Sequence, residues 1–182
     1  MNRQYKSLQS EIKDEKSEAL SEAQIEYATK NNIDVVSILD IKGETMDDLF
    51  LLKSKLILHL PTTSKNNGHY VCVWIYNGTF YFYDSYGMSL QHNLSLSTFL
   101  QSQSLEKKSI LPNMIQRWMN NGGNVSENNY RHQTLDERVS TCGKHAIIRL
   151  MHANLNHYEY NNFLNFKNIS KDDLVSLLCY LV

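Results

Sequence analysis

The stretch GHYVCVWIYNGTFYFYDSYG, residues 68–87, decides how this chain is read. It consists of two apolar runs separated by Asn77-Gly78, and Asn-Gly in that setting is the strongest short-range signal for a β-hairpin with a type I′ turn. With Asn77 and Gly78 as the turn, Tyr76 faces Thr79, and pairing runs outward through Trp74 with Tyr81 to Val71 with Asp84. Side chains alternate along a strand. His69, Val71, Val73 and Ile75 therefore share a face with Phe80, Phe82 and Asp84, while Tyr70, Cys72, Trp74, Tyr81 and Tyr83 form the other. On this register His69 lies diagonal to Asp84, with backbones roughly 7–8 Å apart and within reach of long side chains. A slip of one residue would send the two to opposite faces. The hairpin thus predicts a His69–Asp84 contact at a strand end covered on both sides. A carboxylate there is favoured by a partner able to carry positive charge. Holding one imidazole nitrogen also fixes the tautomer that the other presents.

A second segment, STCGKHAIIRL (residues 140–150), carries a thiol at the start of an apolar helical pattern. Ser140 and Thr141 read as a helix cap, which puts Cys142 in the first turn. The partial positive charge and free N–H groups at a helix start favour thiolate over thiol. Cysteines so placed fall from a pKa near 8.5 to roughly 3.5–7.5, more so beside a protonated histidine. Gly143 removes a side chain next to the sulfur, so that a substrate backbone can approach, and the Cys142 N–H is placed to donate to a developing oxyanion. Gln133, upstream in YRHQTLDERVSTCG, offers an amide N–H to the same oxyanion. Cys72, within a strand, and Cys179, within an apolar helix, read as small buried hydrophobes. His132, His145, His152 and His157 read as structural or exposed. Cys142-x-x-His145 without further ligands makes no metal site.

The rest of the chain frames these two segments. Its 182 residues fit one domain, 1–182, with room for a core. The 42% apolar and 20% charged content is that of an ordinary globular protein. A net charge of −1 gives no global field for nucleic acid or an anionic membrane. Nucleic acid as a partner therefore finds no support in charge. No apolar run approaches the roughly 20 residues of a membrane span, and the polar N-terminus does not read as a secretory signal. Three widely spaced cysteines form neither a disulfide framework nor a zinc pattern, so a reducing setting and no metal are expected.

Residues 1–18 read as a loosely docked or frayed helix. Ser21 with Gln24 makes a capping box for a helix through about Lys30, and Thr45 with Asp48 caps another through about Lys53, with Leu49 and Phe50 inward. DVVSILD (34–40) and LILHL (56–60) read as strands, and TTSKNNG (62–68) as a polar loop. Helices are expected over 95–103, over 112–120 with Pro112 in the first turn and Ile115, Trp118 and Met119 on one face, and over 142–155 with Ile147, Leu150 and Met151 on its apolar face. NNGGNVSENN (120–129) reads as a loop and 130–135 as a strand. A final helix, DDLVSLLCYLV, is capped by Ser170 with Asp173. Strands and helices mix without a βαβα alternation, which points to α+β with a small mixed or antiparallel sheet flanked by helices.

The order His69, Asp84, Gln133, Cys142 resembles that of the adenain-like cysteine proteases, which include the adenovirus protease and the SUMO-specific proteases. The nearest resemblance is to versions encoded by virophages, Polinton-type elements and large DNA viruses. GHYVCVWIYNGTFYFYDSYG is similar to that family's Gly-His-Trp to Asp-Ser-x-Gly hairpin, and STCGKHAIIRL to its Cys-Gly helix. SEAQIEYATKNNIDVVSILD is similar to the N-terminal helix and strand of the viral members. Tyr70 stands where the family usually has Trp, and Gln133 lies farther ahead of Cys142 than is usual. The resemblance implies a papain-like-related fold with the catalytic cysteine at a helix N-terminus and no cofactor. It implies a thiol endopeptidase with Cys142 as nucleophile, His69 as base, Asp84 orienting it, and Gln133 in the oxyanion hole. It further implies cleavage of capsid or virion precursors after small residues such as Gly-Gly, in the cytoplasmic virus factory or nucleus of a host cell and in the virion. A SUMO or ubiquitin isopeptidase and a non-catalytic binding module stay open as alternatives.

Overall fold

The computed structural model describes residues 16–30, 32–51, 53–136 and 138–180. At its centre the Asn77-Gly78 turn joins β3 (Asn67–Tyr76) to β4 (Thr79–Tyr83). The register is the one read from sequence: Tyr76 pairs with Thr79, Trp74 with Tyr81, and the ladder closes at Cys72 with Tyr83. Asn77 and Gly78 both have positive φ, 48° and 72°, as a type I′ turn requires. Val71 and Asp84 continue the register but lie beyond the end of the ladder.

Three more strands complete a mixed sheet in the order β1-β2-β3-β4-β5. β1 (Asp34–Ser37) runs parallel to β2 (Lys55–Ser64), β2 is antiparallel to β3, and β5 (Asn124–Glu127) runs parallel to β4. The helices are α1 (Glu22–Ala28), α2 (Met46–Leu49), α3 (Leu90–Leu96), α4 (Thr98–Gln101), α5 (Leu105–Asn120), α6 (Cys142–Met151), α7 (His157–Phe163) and α8 (Lys171–Tyr180). The fold is α+β, a five-stranded sheet flanked by helices.

Strand alternation divides the core in two. Ile57, Cys72, Trp74 and Tyr83 point to the face covered by α1, α6, α7 and α8. Leu56, Leu58, Val71, Val73, Phe80 and Phe82 point to the face covered by α2 to α5. Full burial of each such side chain stabilises the fold by about 1.5–3 kcal/mol. α6 lies innermost and is buried from Gly143 to Leu150, its charged residues included. Arg149 is accommodated because its guanidinium lies 4.3 Å from the Trp74 ring centre and 4.6 Å from that of Tyr160. It also donates to the carbonyls of His152 and Leu155 at 2.6 and 2.7 Å, where the helix end presents negative charge.

Several expectations are corrected. The capping boxes at Ser21 and Thr45 are present, but α2 is a single turn, because Phe50 leaves it to meet Phe80. TTSKNNG lies mostly within the β2–β3 ladder, with a register shift between Pro61 and Ser64; its solvated side chains hid the strand. The expected 95–103 helix is two short ones, split at Ser97, whose hydroxyl caps α4. Pro112 stands inside α5, which starts seven residues earlier behind Ser104; burial of Leu111 and Met114 carries the helix past the missing N–H, and Met119 is exposed. β5 lies inside the expected 120–129 loop, as a polar edge strand whose side chains show no apolar alternation. The expected 130–135 strand is irregular: the N–H groups of His132 and Gln133 both donate to the Ser85 carbonyl, at 2.8 and 2.9 Å. α6 stops at Met151, which is exposed. Of the expected loosely docked segment 1–18, residues 1–15 lie outside the described residues. Lys16 is held, with its carbonyl on the Ser140 N–H (3.0 Å) and its ammonium on Asp173 (2.9 Å).

The chain leaves β4 through a tight turn that ends at Gly87, whose N–H donates to the Asp84 carbonyl at 2.9 Å. Gly87 has φ +74°, and a Cβ there would stand 2.9 Å from the carbonyl of Tyr130. Gly87→Ala is expected to cost about 1–3 kcal/mol of stability by urea unfolding, from left-handed strain and displacement of the Tyr130 segment. An unchanged midpoint would contradict this account of the turn.

Candidate active site

The site arises where the β3–β4 ladder stops. β4 ends at Tyr83, so the edge of β3 that faces it is unpaired at Tyr70, and the Tyr70 N–H donates to the Cys142 sulfur instead. The ladder stops because Asp84 turns its carboxylate back onto the following backbone. Oδ1 accepts from the Tyr86 N–H at 3.0 Å and Oδ2 from the Met88 N–H at 3.1 Å. The side chain of Asn128 holds both backbone groups of Asp84: its Oδ1 takes the N–H and its Nδ2 donates to the carbonyl, each at 2.8 Å. Asp84 is fully buried.

The expected contact is present. His69 Nε2 and Asp84 Oδ1 are 2.6 Å apart, with His69 9% exposed. With Nε2 engaged, Nδ1 is the nitrogen left for a second partner. His69 also shares a hydrogen bond with Cys142, the first residue of α6. The three residues meet from three elements. β3 supplies the imidazole, the turn after β4 the carboxylate, and the start of α6 the sulfur. Tyr86 flanks the imidazole, with ring centres 5.0 Å apart.

The charges reinforce one another. Burial alone would lower the His69 pKa, but the hydrogen bonds to Asp84 and Cys142, together with their negative charge, push it up to about 10. Burial alone would raise the Cys142 pKa. The His69 hydrogen bond and charge and the N–H groups of Tyr70 and Gly143 outweigh that and hold it below the ordinary thiol value. The Asp84 pKa is likewise lowered: burial opposes ionisation, and His69, the Tyr86 N–H and the Asn93 amide overcome it. All three shifts run toward the charged forms, a thiolate–imidazolium–carboxylate row. Cys72 differs, since burial pushes its thiol far up.

Gln133 is buried in the loop between β5 and α6. Its Oε1 accepts from the Ser85 hydroxyl at 2.7 Å and its Nε2 donates to the Val139 carbonyl at 3.2 Å. A single acceptor for Nε2 among the described residues leaves the second amide hydrogen uncommitted. Two expectations about α6 are corrected. Thr141 occupies the N-cap position but makes no cap bond; its hydroxyl donates to Asp172 instead. The Cβ position of Gly143 points at protein, 3.4 Å from Ile25 and 3.5 Å from Leu20 and Tyr70, and not at an open approach path.

Sequence reasoning missed Asn93, whose amide donates to Asp84 Oδ2 at 3.0 Å. Its signal was a polar residue in the inward stripe with Leu90 and Leu94. It also missed Asn128, which sits in a run of polar loop residues with no pattern to mark it. His132 and His145 are both buried, in a polar chain with Tyr83 and Asp172: Tyr83 bonds His132 Nδ1 at 2.9 Å, and His145 Nε2 meets Asp172 at 3.1 Å. No group of three or more His, Cys, Asp or Glu among the described residues has the placement of a metal site. No helix among them is long and apolar enough to cross a membrane.

No protein-family model matches the chain. It is similar to Uncharacterized protein V9 of the Sputnik virophage, with 23% identity over 170 residues that span 84% of this chain and 95% of that protein.

The electrostatics give a direct test. The rate of Cys142 alkylation by iodoacetamide, followed by mass mapping, is expected to have a midpoint below the roughly 8.5 of a free thiol. Cys72 should stay unreacted, and His69→Ala should move the Cys142 midpoint up. A wild-type midpoint at or above the ordinary thiol value would exclude the thiolate row.

Proposed function

We propose that this chain is a cysteine endopeptidase with a papain-like-related fold, acting on viral capsid or virion precursor proteins. The observation that carries the reading is the buried 2.6 Å His69–Asp84 contact, with the same imidazole hydrogen-bonded to a thiol at the start of a ten-residue helix. Nucleophile, base and orienting group within mutual reach are what acyl transfer requires. The similarity to a virophage protein supports the viral setting, although that protein has no function attached to its name.

In this mechanism the Cys142 thiolate attacks the scissile carbonyl carbon, and the carbonyl electrons move onto oxygen. The Cys142 N–H and the free Gln133 amide hydrogen stabilise that oxyanion. As the intermediate collapses, the His69 imidazolium gives its proton to the leaving amine, and the acyl group stays on sulfur as a thioester. Water then attacks the thioester with neutral His69 as its base, which releases the acid and restores the ion pair. Asp84 keeps the imidazole in one orientation and stabilises its charged form throughout. The resemblance in the two site segments supports cleavage after small residues such as Gly-Gly.

The test is incubation of the purified chain with candidate virion precursor proteins, read by gel and by mass of the fragments. Wild type is expected to cleave and Cys142→Ala to leave the precursors intact. His69→Ala should lower kcat by about 10²–10⁴-fold, the range of general acid–base catalysis. Asp84→Ala should leave more residual turnover than His69→Ala. Equal cleavage by wild type and Cys142→Ala would remove Cys142 from the chemistry. Faster turnover of SUMO or ubiquitin C-terminal fluorogenic substrates than of any precursor would replace the maturation role with an isopeptidase one.

A further inference from the structure

Asp172, in the first turn of α8, is 1% exposed and gathers four hydrogen bonds. Its Oδ1 accepts from the Thr141 hydroxyl at 2.5 Å and faces His145 Nε2 at 3.1 Å. Its Oδ2 accepts from the N–H and the hydroxyl of Thr134, at 2.9 and 2.7 Å. A carboxylate supplies two oxygens that only accept, and all four approaches suit donors. Burial opposes ionisation of Asp172, but the hydrogen bonds from His145, Thr141 and Thr134 overcome it and bring the pKa down to about 2. His145 is held below its ordinary pKa, mainly by burial, and so donates from Nε2 as neutral imidazole.

The three donors flank the proposed machinery. Thr141 immediately precedes Cys142, His145 lies one residue short of a full turn along α6, and Thr134 immediately follows Gln133. Thr141 has φ −102° and ψ 6°, outside the extended region that a capping residue adopts. A Ser, Thr or Asn side chain caps each of α1 to α5 and α7, whereas α6 has no such bond. The hydroxyl that would cap α6 is the one held by Asp172.

We propose that Asp172 is a positioning residue for the peptidase reaction: by holding Thr141 and Thr134 it fixes the neighbouring Cys142 and Gln133, whose N–H groups are the two donors to the oxyanion. The proposal rests on the peptidase reading above. Among the described residues Asp172 bonds Thr134, Thr141 and His145 and neither Cys142 nor His69, so its effect falls on the oxyanion contacts and leaves the thiolate untouched.

The test is a double-mutant cycle on the full chain, read by kcat and KM on a cleaved peptide and by iodoacetamide alkylation of Cys142. Asp172→Asn puts an amide N–H₂ against groups that themselves donate, and loosens both Thr141 and Thr134. It is expected to lower kcat by about tenfold or more, short of the 10²–10³ that follows loss of an oxyanion donor. KM and the alkylation rate should hold. Adding Thr141→Val should then lower kcat little further, because the Thr141–Asp172 bond it removes is already weakened. Should Asp172→Asn fail to fold, Asp172→Glu, which keeps the charge but displaces it by one methylene, is expected to behave the same way. A parallel fall of kcat and alkylation rate, or a loss on adding Thr141→Val as large as Thr141→Val alone causes in wild type, would overturn the proposal. If wild type alkylates yet cleaves no peptide, the peptidase reading fails on its own. N-Acetylglycinal then separates the two: its hemithioacetal uses the sulfur and the N–H donors without any peptide cleavage. Weaker binding to Asp172→Asn than to wild type supports the positioning role, and equal binding refutes it.

Discussion

The contact between His69 Nε2 and Asp84 Oδ1 is the constraint on which the surrounding architecture depends. A carboxylate with no exposure is costly unless its acceptor positions are filled. Here they are filled by an imidazole, two backbone N–H groups and the Asn93 amide. Those same bonds bend the chain out of β4 and end the ladder at Tyr83. The early end of the ladder leaves the Tyr70 N–H for the sulfur. The bonds that settle the charge of Asp84 thus also make the opening that the thiol occupies.

A second buried carboxylate, Asp172, is held in a comparable way against Thr141, the residue before Cys142. Asp84 and Asp172 are each satisfied by four donors, and each sits where a regular element begins or ends. Between them run Tyr83, His132 and His145, all inside the protein. Low local dielectric strengthens such bonds when every member is satisfied and makes a missing partner expensive. Such an arrangement holds its geometry firmly. The innermost helix is held by Arg149, whose guanidinium lies between the Trp74 and Tyr160 rings.

Much of this was legible in the sequence, because the decisive hairpin is a local object. Asn77-Gly78 with two alternating runs determines register, and register alone brings His69 to Asp84. Cys142 at a helix start was readable from the apolar period that follows it. What could not be read depends on contacts between distant segments. β5 is a polar edge strand that exists because β4 offers it a ladder, and its residues have no period of their own. Thr141 looked like a cap because Ser and Thr usually are; Asp172, 31 residues away, diverts it. Pro112 looked like a helix start because proline favours the first turn, yet the buried pair Leu111 and Met114 holds α5 together across it. Asn93 and Asn128 are ordinary polar residues until the Asp84 turn gives them something to bind.

The protonation state of His69 tests the central claim most directly. Nitrogen-15 NMR of the ring across pH should find both nitrogens protonated at neutral pH and the proton lost only near pH 10, where burial is outweighed by Asp84 and the Cys142 thiolate. Alkylation of Cys142 removes the thiolate charge and should bring that titration to lower pH. A neutral imidazole at pH 7 in the unmodified protein, unchanged on alkylation, would contradict the account.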